Sequence, residues 1–257
     1  MIKALFEKNN TLFIPFVMFG FPSVSISRQA ILGLAELGAD VIEVGIPFSD
    51  PIADGPINQR AASVAINNYV TAKTVLDEIK SIRALKCQTP IMLFSYLNPI
   101  LAYGYKNFLN DAKEVGVDGL LILDLPPEMG FEIYSYAKKI GLSFALLASP
   151  TTSASRLEHY PELAPDFIYY VARLGVTGTH EQLPKDLEKK LLGIKNFVPC
   201  IPIVAGFGIA SANDVQRVGS IADGVVVGSQ LMDMLDERGL DHMLAFAKTL
   251  LAAMPNP

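Results

Sequence analysis

One glutamate interrupts an otherwise apolar segment, residues 41–46 (VIEVGI). If this segment is a β-strand, alternation places Val41, Glu43 and Gly45 on one face, and the other face carries Ile42, Val44 and Ile46. Glu43 would then point into the interior of the fold, with Gly45 above it leaving space for a ligand. A buried carboxyl group has a raised pKa and suits general acid–base catalysis near neutral pH. The structural alternative is a glutamate held by a buried arginine or by hydrogen bonds.

The following loop, residues 47–56 (PFSDPIADGP), contains two further carboxylates and three prolines. Asp before Pro or Gly most often forms a turn, so Asp50 and Asp54 could both be turn residues, and a catalytic role stays open. A second long segment, residues 173–182 (RLGVTGTHEQ), has hinge-like glycines and is predicted to form a lid. The segment also contains His180. A histidine in such a loop is more often exposed to solvent than functional.

Two glycine-containing segments, residues 206–209 (GFGI) and 227–229 (VGS), favour phosphate binding. Glycine lets the backbone approach a ligand closely, and backbone N–H groups at the start of a helix bind anions. Ser229 could cap that helix or donate its hydroxyl group. The alternative is that these glycines serve only as turns. If they do bind phosphate, the ligand is predicted to be a phosphate monoester.

Several catalytic classes are disfavoured by residues that are missing. The apolar segments carry no Lys, which argues against a Schiff base or a resident pyridoxal phosphate. No clustered His and carboxylate residues suggest a metal site, and no G-x-S-x-G motif is present. Acid–base chemistry by carboxylates on a phosphorylated substrate is the remaining prediction.

The composition limits the class of protein further. The chain has 257 residues, of which 51% are hydrophobic and 18% charged, with a formal net charge of −5. This excludes disorder and, without a basic excess, disfavours nucleic-acid binding. Cys87 and Cys200 are expected to be free thiols. Residues 11–21 mimic a secretory signal, but no apolar run is long enough to span a membrane, and we predict a cytoplasmic protein.

Short β-type segments alternate with helical patterns along the whole chain, after a short amphipathic helix at the start. This alternation predicts a (β/α)₈ TIM barrel, with residues 1–257 as a single domain. A doubly wound open sheet is the rival, but no G-x-G-x-x-G motif follows any predicted strand. The predicted strands are residues 13–19, 40–46, 90–96, 119–125, 143–149, 167–172, 201–207 and 224–229. The predicted helices are residues 25–37, 71–85, 105–115, 128–140, 185–194, 213–218 and 241–253.

Three predicted helix-to-strand joints have similar sequences: LGADV, VGVDG and IADGV. Their aspartates, Asp40, Asp118 and Asp223, fall at the N-terminal end of the predicted barrel. Residues at this end usually serve stability, so structural roles are expected.

Residues 43–56 resemble the signature of the tryptophan synthase α subunit family, as do RLGVTG at 173–178, AGFGI at 205–209 and VVGS at 226–229. The resemblance covers essentially the whole chain. It implies a lyase that cleaves indole-3-glycerol phosphate to indole and glyceraldehyde 3-phosphate, with no cofactor in this chain. It also implies a β subunit that carries pyridoxal phosphate, within an α2β2 heterotetramer.

The resemblance assigns roles residue by residue. Glu43 matches the general acid/base, Asp54 a catalytic carboxylate and Tyr169 a tyrosine beside the catalytic glutamate. Thr177 matches a lid residue that bonds to the loop aspartate. The remaining positions match the phosphate site (Gly178, Phe207, Gly208, Gly228 and Ser229) and the surroundings of the indole (Phe16, Phe94, Leu121 and Asp124). The sequence departs from common family variants at single positions within residues 19–22 and 95–99, near Phe21 and Ser95.

Three alternatives remain beside this assignment. A stand-alone indole-releasing lyase would share every catalytic residue. A non-catalytic barrel could serve only to activate a β subunit, although the presence of both Glu43 and Asp54 argues against it. A related barrel, such as an isomerase acting on phosphorylated substrates, would lack the signature at residues 43–56.

Overall fold

A computed structural model describes residues 2–7, 11–171, 186–206 and 208–255. Within these ranges, eight parallel strands pair in sequence order, and β1 pairs with β8, so the sheet closes into a barrel. The predicted (β/α)₈ fold is therefore confirmed. The strands are β1 Leu12–Met18, β2 Ile42–Gly45, β3 Ile91–Ser95, β4 Gly119–Ile122, β5 Ser143–Ala148, β6 Phe167–Val171, β7 Ile203–Gly206 and β8 Gly224–Val227.

Helices surround the barrel, and the seven predicted from periodicity are confirmed. Five further helices (α3, α5, α8, α9 and α12) lie in stretches with no predicted helical range. The helices are α1 Lys3–Phe6, α2 Val24–Leu37, α3 Pro56–Asn67, α4 Ala72–Ala84, α5 Leu97–Tyr103, α6 Tyr105–Glu114, α7 Pro127–Lys139, α8 Ala154–Leu157, α9 Tyr160–Leu163, α10 Leu187–Lys195, α11 Ala212–Gly219, α12 Ser229–Arg238 and α13 Leu240–Ala252.

The continuous apolar character of the strands follows from burial on both faces. Every residue of β1 is buried, as is every residue of β2, β3, β4, β7 and β8. One face lines the barrel interior and the other packs under the helices, which is the usual environment of a parallel strand. No helix of the described residues is long and apolar enough to cross a membrane.

Helix α1 packs against the N-terminal end of the barrel. Ile2, just before α1, is fully buried, and a Cβ on Gly119 would lie 3.0 Å from its Cδ1 atom. The ring of Phe6 lies 5.7 Å from that of Phe167. Gly119 and Phe167 are the first residues of β4 and β6, so α1 covers the strand starts and leaves the opposite end accessible.

A repeated aspartate clamp ties the strand starts together in pairs. In each odd-numbered strand, the backbone N–H of the first or second residue donates to the aspartate that precedes the next strand. The bonds run from Phe13 to Asp40 at 2.8 Å, Ile91 to Asp118 at 2.9 Å, Phe144 to Asp166 at 3.0 Å and Ile203 to Asp223 at 2.7 Å. In return, each aspartate N–H donates to the carbonyl of the same partner residue, at 2.8–3.1 Å.

The structural roles predicted for Asp40, Asp118 and Asp223 are supported by these contacts, and Asp166 is a fourth member of the set. Asp166 was missed because its joint lacks the glycine seen in two of the others. Gly38 and Gly116 have φ angles of 95° and 94°, whereas Ala164 takes the left-handed conformation before Asp166, with φ 50°. A non-glycine residue there hides the pattern from sequence inspection.

We expect Asp118→Ala to lower the free energy of unfolding by about 2–3 kcal/mol, because it leaves Arg83 and the Ile91 N–H without their partly buried acceptor. Asp77→Ala removes an aspartate whose partner Lys73 is mostly exposed, and should change stability by less than about 0.5 kcal/mol. Urea denaturation of the three proteins measures both effects. Equal, small losses would show that the clamp contributes little.

Candidate active site

A pocket opens at the C-terminal end of the barrel, the end at which the active sites of TIM barrels lie. It encloses about 370 Å³, part of it open to solvent. Its walls come from strands β1, β2, β3, β6 and β8, from the start of α3 and from the segment after β7. The lining residues are Phe16, Glu43, Asn58, Phe94, Tyr169, Gly208, Ile209, Val226, Gly228 and Ser229.

Glu43 is fully buried and faces this pocket. Neither of its carboxylate oxygens has a hydrogen-bond partner among the described residues. Burial therefore disfavours the charged form and raises the pKa of the Glu43 carboxyl from 4.5 to about 8. The group is mostly protonated at pH 7, so it can donate a proton and then take one back.

Aromatic side chains fill the space beside the strand glycines near Glu43. A Cβ on Gly45 would lie 2.8 Å from Cζ of Phe16 and 3.2 Å from the sulfur of Met18. A Cβ on Gly206 would clash with the hydroxyl of Tyr169. The expectation that Gly45 leaves space for a ligand is therefore wrong. These glycines let Phe16 and Tyr169 lean across the barrel mouth.

The structure separates the two aspartates of the loop after β2. Asp50 is exposed, accepts a hydrogen bond from the neighbouring Ser49 hydroxyl and accepts the Ile52 N–H on its carbonyl, as a turn residue does. Asp54 is 1% exposed. The hydroxyl of Tyr96 donates to its Oδ2 at 2.9 Å, and the amide of Asn58 donates to its Oδ1 at 3.2 Å.

The network around Asp54 extends to the backbone. The Tyr96 hydroxyl also accepts the N–H of Ala53 at 2.9 Å, which fixes the hydroxyl proton towards Asp54. Burial raises the pKa of the Asp54 carboxyl, and the hydrogen bonds from Tyr96 and Asn58 partly oppose this rise. Asp54 is thus held in one orientation beside the pocket.

Tyr169 lies near both acidic groups. It is 2% exposed and lines the pocket. Burial, then the negative charges of Glu43 and Asp54, raise the pKa of its hydroxyl well above the ordinary value of 10.0. The hydroxyl group therefore stays protonated near neutral pH, and Tyr169 lines the same pocket as Glu43.

The described part of the expected phosphate site lies at one edge of the pocket. Gly208 follows β7 with φ 82°, and Gly228 precedes α12. Ser229 is the first residue of α12, and no side chain of the described residues caps this helix. Of the two roles predicted for Ser229, hydroxyl donation to a ligand remains. Thr177, Gly178, His180 and Phe207 lie outside the described residues.

Of the four residues expected around an indole, two line the pocket and two do not. Phe16 and Phe94 line the pocket, with ring centroids 5.0 Å apart and planes at 66°. Leu121 is fully buried and pairs with Phe94 in the β3–β4 register. Asp124 accepts the Leu97 N–H at 2.7 Å at the start of α5, and lines a different cleft.

Two residues of the site were not identified from the sequence. Tyr96 was noted only as part of a departure from the family pattern, although a hydroxyl-bearing aromatic directly after a barrel strand could have indicated the site. Asn58 lies on α3, whose buried face consists of Asn58, Ala61, Ala62 and Ala65. These small residues give a weak helical signal, so α3 and its asparagine were both missed.

An eight-stranded parallel barrel with a protonated carboxyl group in its C-terminal mouth is characteristic of the acid–base enzymes of the TIM-barrel class. Comparisons with known proteins specify the family. The family model described as "Tryptophan synthase alpha chain" matches residues 2–254. The chain belongs to this family, whose members are lyases of tryptophan biosynthesis.

Individual relatives agree with this assignment. The tryptophan synthase alpha chain of Pelobacter propionicus is 38% identical over 98% of this chain and 96% of its own length. The tryptophan synthase of Saccharomyces cerevisiae is 37% identical over 89% of this chain, which spans about a third (32%) of that longer protein. The crystal structure of tryptophan synthase subunit alpha from Legionella pneumophila has a TM-score of 0.88 and 32% identity, and the match covers 98% and 96% of the two chains.

The pKa of Glu43 predicts how stability changes with pH. The folded-state value of about 8 lies above the ordinary value of 4.5, so the carboxyl group destabilises the fold increasingly as pH rises between them. Glu43→Gln cannot ionise. We expect its free energy of unfolding to exceed that of the wild type by a margin that grows by up to about 1.4 kcal/mol per pH unit over this interval. Chemical denaturation at pH 5, 6, 7 and 8 measures this margin, and a constant difference would contradict the raised pKa.

Proposed function

We propose that Glu43 carries out the proton transfers of a retro-aldol cleavage in which indole-3-glycerol phosphate gives indole and glyceraldehyde 3-phosphate. The observation that carries this proposal is the buried carboxyl group facing the pocket, whose oxygens have no hydrogen-bond partner among the described residues and whose burial raises its pKa to about 8. A neutral acid is needed to begin the reaction, and this group is neutral at physiological pH.

The reaction balances without a cofactor. The Glu43 carboxyl donates its proton to C3 of the indole ring, giving an indolenine with a positive ring nitrogen. The resulting carboxylate then takes the proton of the hydroxyl group on the adjacent side-chain carbon. The carbon–carbon bond to C3 breaks, its electron pair restores the aromatic ring, and the carbonyl of the aldehyde forms. Glu43 ends protonated, ready for another turnover.

Asp54 supplies the negative charge for the cationic intermediate. Its carboxylate is oriented by Tyr96 and Asn58 and stabilises the positive charge that develops at the ring N–H. Tyr169 lies beside Glu43 and keeps its hydroxyl proton, so it can donate a hydrogen bond to a substrate oxygen without competing as an acid.

The remaining assigned residues bind the two ends of the substrate. Backbone N–H groups near Gly208 and at the start of α12 would hold the phosphate, joined by the hydroxyl of Ser229 and by Gly178 and Phe207. Thr177 would bond to Asp54 when the lid closes. The indole ring would pack against Phe16 and Phe94, with Leu121 supporting Phe94 and Asp124 holding the start of α5 at the edge of the site.

The family name denotes a subunit, and a surface of this chain suits a partner. Four large apolar side chains are exposed on three successive segments that follow β2, β3 and β4. They are Ile52 at 78% exposure, Leu101 at 49%, Met129 at 77% and Phe131 at 67%. Exposed apolar groups at one end of a barrel are typical of a protein interface. We assign them to contact with a β subunit that carries pyridoxal phosphate, in an α2β2 assembly of the cytoplasm.

Glu43→Gln should fold and yet lose nearly all indole release, because the amide cannot deliver a proton to C3. A loss of at least about 1,000-fold is expected for removal of the group to which both proton transfers are assigned. Asp54→Asn should lose less than Glu43→Gln, since it removes charge stabilisation but not the proton donor. Indole production from indole-3-glycerol phosphate measures both variants. Retained turnover in Glu43→Gln would overturn the assignment.

Indole release measured with and without a β subunit separates the remaining alternatives. A large stimulation is expected for the α subunit of a two-subunit enzyme. A fast unstimulated rate would favour the stand-alone lyase, and β activation with no indole under any condition would favour the scaffold. Leu101→Ser should weaken the stimulation about fivefold or more at limiting β subunit. Leu192→Ser, on α10 with a similar exposure of 55%, is the matched control and should leave it unchanged.

A further inference from the structure

The side chain of Asn58 has one satisfied end and one unsatisfied end. It is 5% exposed and lines the same pocket as Glu43. Its amide nitrogen donates to Oδ1 of Asp54 at 3.2 Å, whereas its carbonyl oxygen is buried with no hydrogen-bond partner among the described residues. A buried amide oxygen without a donor is unfavourable, and it is relieved when a ligand supplies one.

The orientation of this amide follows from its neighbour. If the amide were reversed, its carbonyl oxygen would face the carboxylate of Asp54, and two acceptors would oppose each other. With the nitrogen towards Asp54, the oxygen is left as the acceptor on the other side of the amide. Each carboxylate oxygen of Asp54 already accepts one hydrogen bond, Oδ2 from Tyr96 and Oδ1 from Asn58. Asp54 is not among the residues that line the pocket, whereas Asn58 is.

We propose that Asn58 binds the ring N–H of the indole group and connects it to Asp54. The amide oxygen accepts the ring N–H while the amide nitrogen continues to donate to Asp54. This inference rests on the proposed function. It assigns the hydrogen-bond contact through which the charge of Asp54 acts on the substrate. No covalent bond changes at Asn58.

The chemistry of the reaction strengthens this contact at the point where it is needed. Protonation of C3 makes the ring nitrogen positive, so its N–H becomes a stronger donor to the amide oxygen. The amide is polarised in the same direction by the negative charge of Asp54 beyond it. Hydrogen bonds in such a chain reinforce one another. Asn58 is therefore a substrate-binding residue that also transmits the charge of Asp54.

A site of this kind discriminates against ligands that lack the N–H group, because the buried oxygen is then left unpaired. Indole and benzofuran are suitable probes, since they have nearly the same shape and differ in N–H against ring oxygen. The wild type should bind indole at least about tenfold more tightly than benzofuran. In Asn58→Leu, which has similar volume and no acceptor, the ratio of the two dissociation constants should approach one.

Asn67→Leu, an exposed position at the end of the same helix, is the matched control and should keep the wild-type ratio. Asn58→Ala removes the same polar atoms with a strong helix former, and the ratio is taken from whichever Asn58 variant melts cooperatively. If Asn58 only orients Asp54, its variants will lose turnover and keep the ratio. That result, or a wild type without discrimination, would overturn the inference.

The same measurements separate this inference from the proposed function. Wild-type cleavage of indole-3-glycerol phosphate with an unchanged ratio in the Asn58 variants would refute the inference alone. A wild type that neither cleaves this substrate nor binds indole would refute the proposed function and the inference with it.

Discussion

The carboxyl group of Glu43 lies inside a barrel of apolar strands, and the rest of the site is organised around its desolvation. Neither oxygen meets a hydrogen-bond donor among the described residues, so the group is stable in its neutral form. A single buried cation beside it would reverse this effect and hold it ionised. The aromatic rings of Phe16 and Phe94 help to cover the pocket that it faces, and Gly45 in β2 and Gly228 just after β8 make room for Phe16.

Stability and chemistry occupy opposite ends of the barrel. At the strand starts, four aspartates accept backbone N–H groups, and α1 packs against the first residues of β4 and β6. These contacts fix the register between paired strands without help from the loops at the other end. The segments after the strands can therefore carry buried polar groups such as Asp54 and Asn58, which would weaken a core. This division explains how one chain can hold unsatisfied atoms at its mouth and still fold.

Much of the fold could be predicted because its strands are buried on both faces and appear as continuous apolar segments. The site was harder to predict where function depends on small or ambiguous residues. Helix α3 presents Ala61, Ala62 and Ala65 to the barrel, and alanine gives a much weaker periodic signal than leucine. Asp166 was missed because Ala164 replaces the expected glycine. Asp50 and Asp54 looked equivalent as turn residues, since local sequence does not report burial.

By itself, the sequence determined the barrel, the acidic residue in its second strand and the family signature, because strand alternation and motif spacing are local properties of the chain. Only the tertiary structure decided which loop aspartate is buried, what fills the space above Gly45 and where the amide of Asn58 points. These properties depend on contacts between distant residues, such as the hydrogen bond from Tyr96 to Asp54 across 42 positions. Burial and unpaired polar atoms arise when such segments meet, and no local pattern records them.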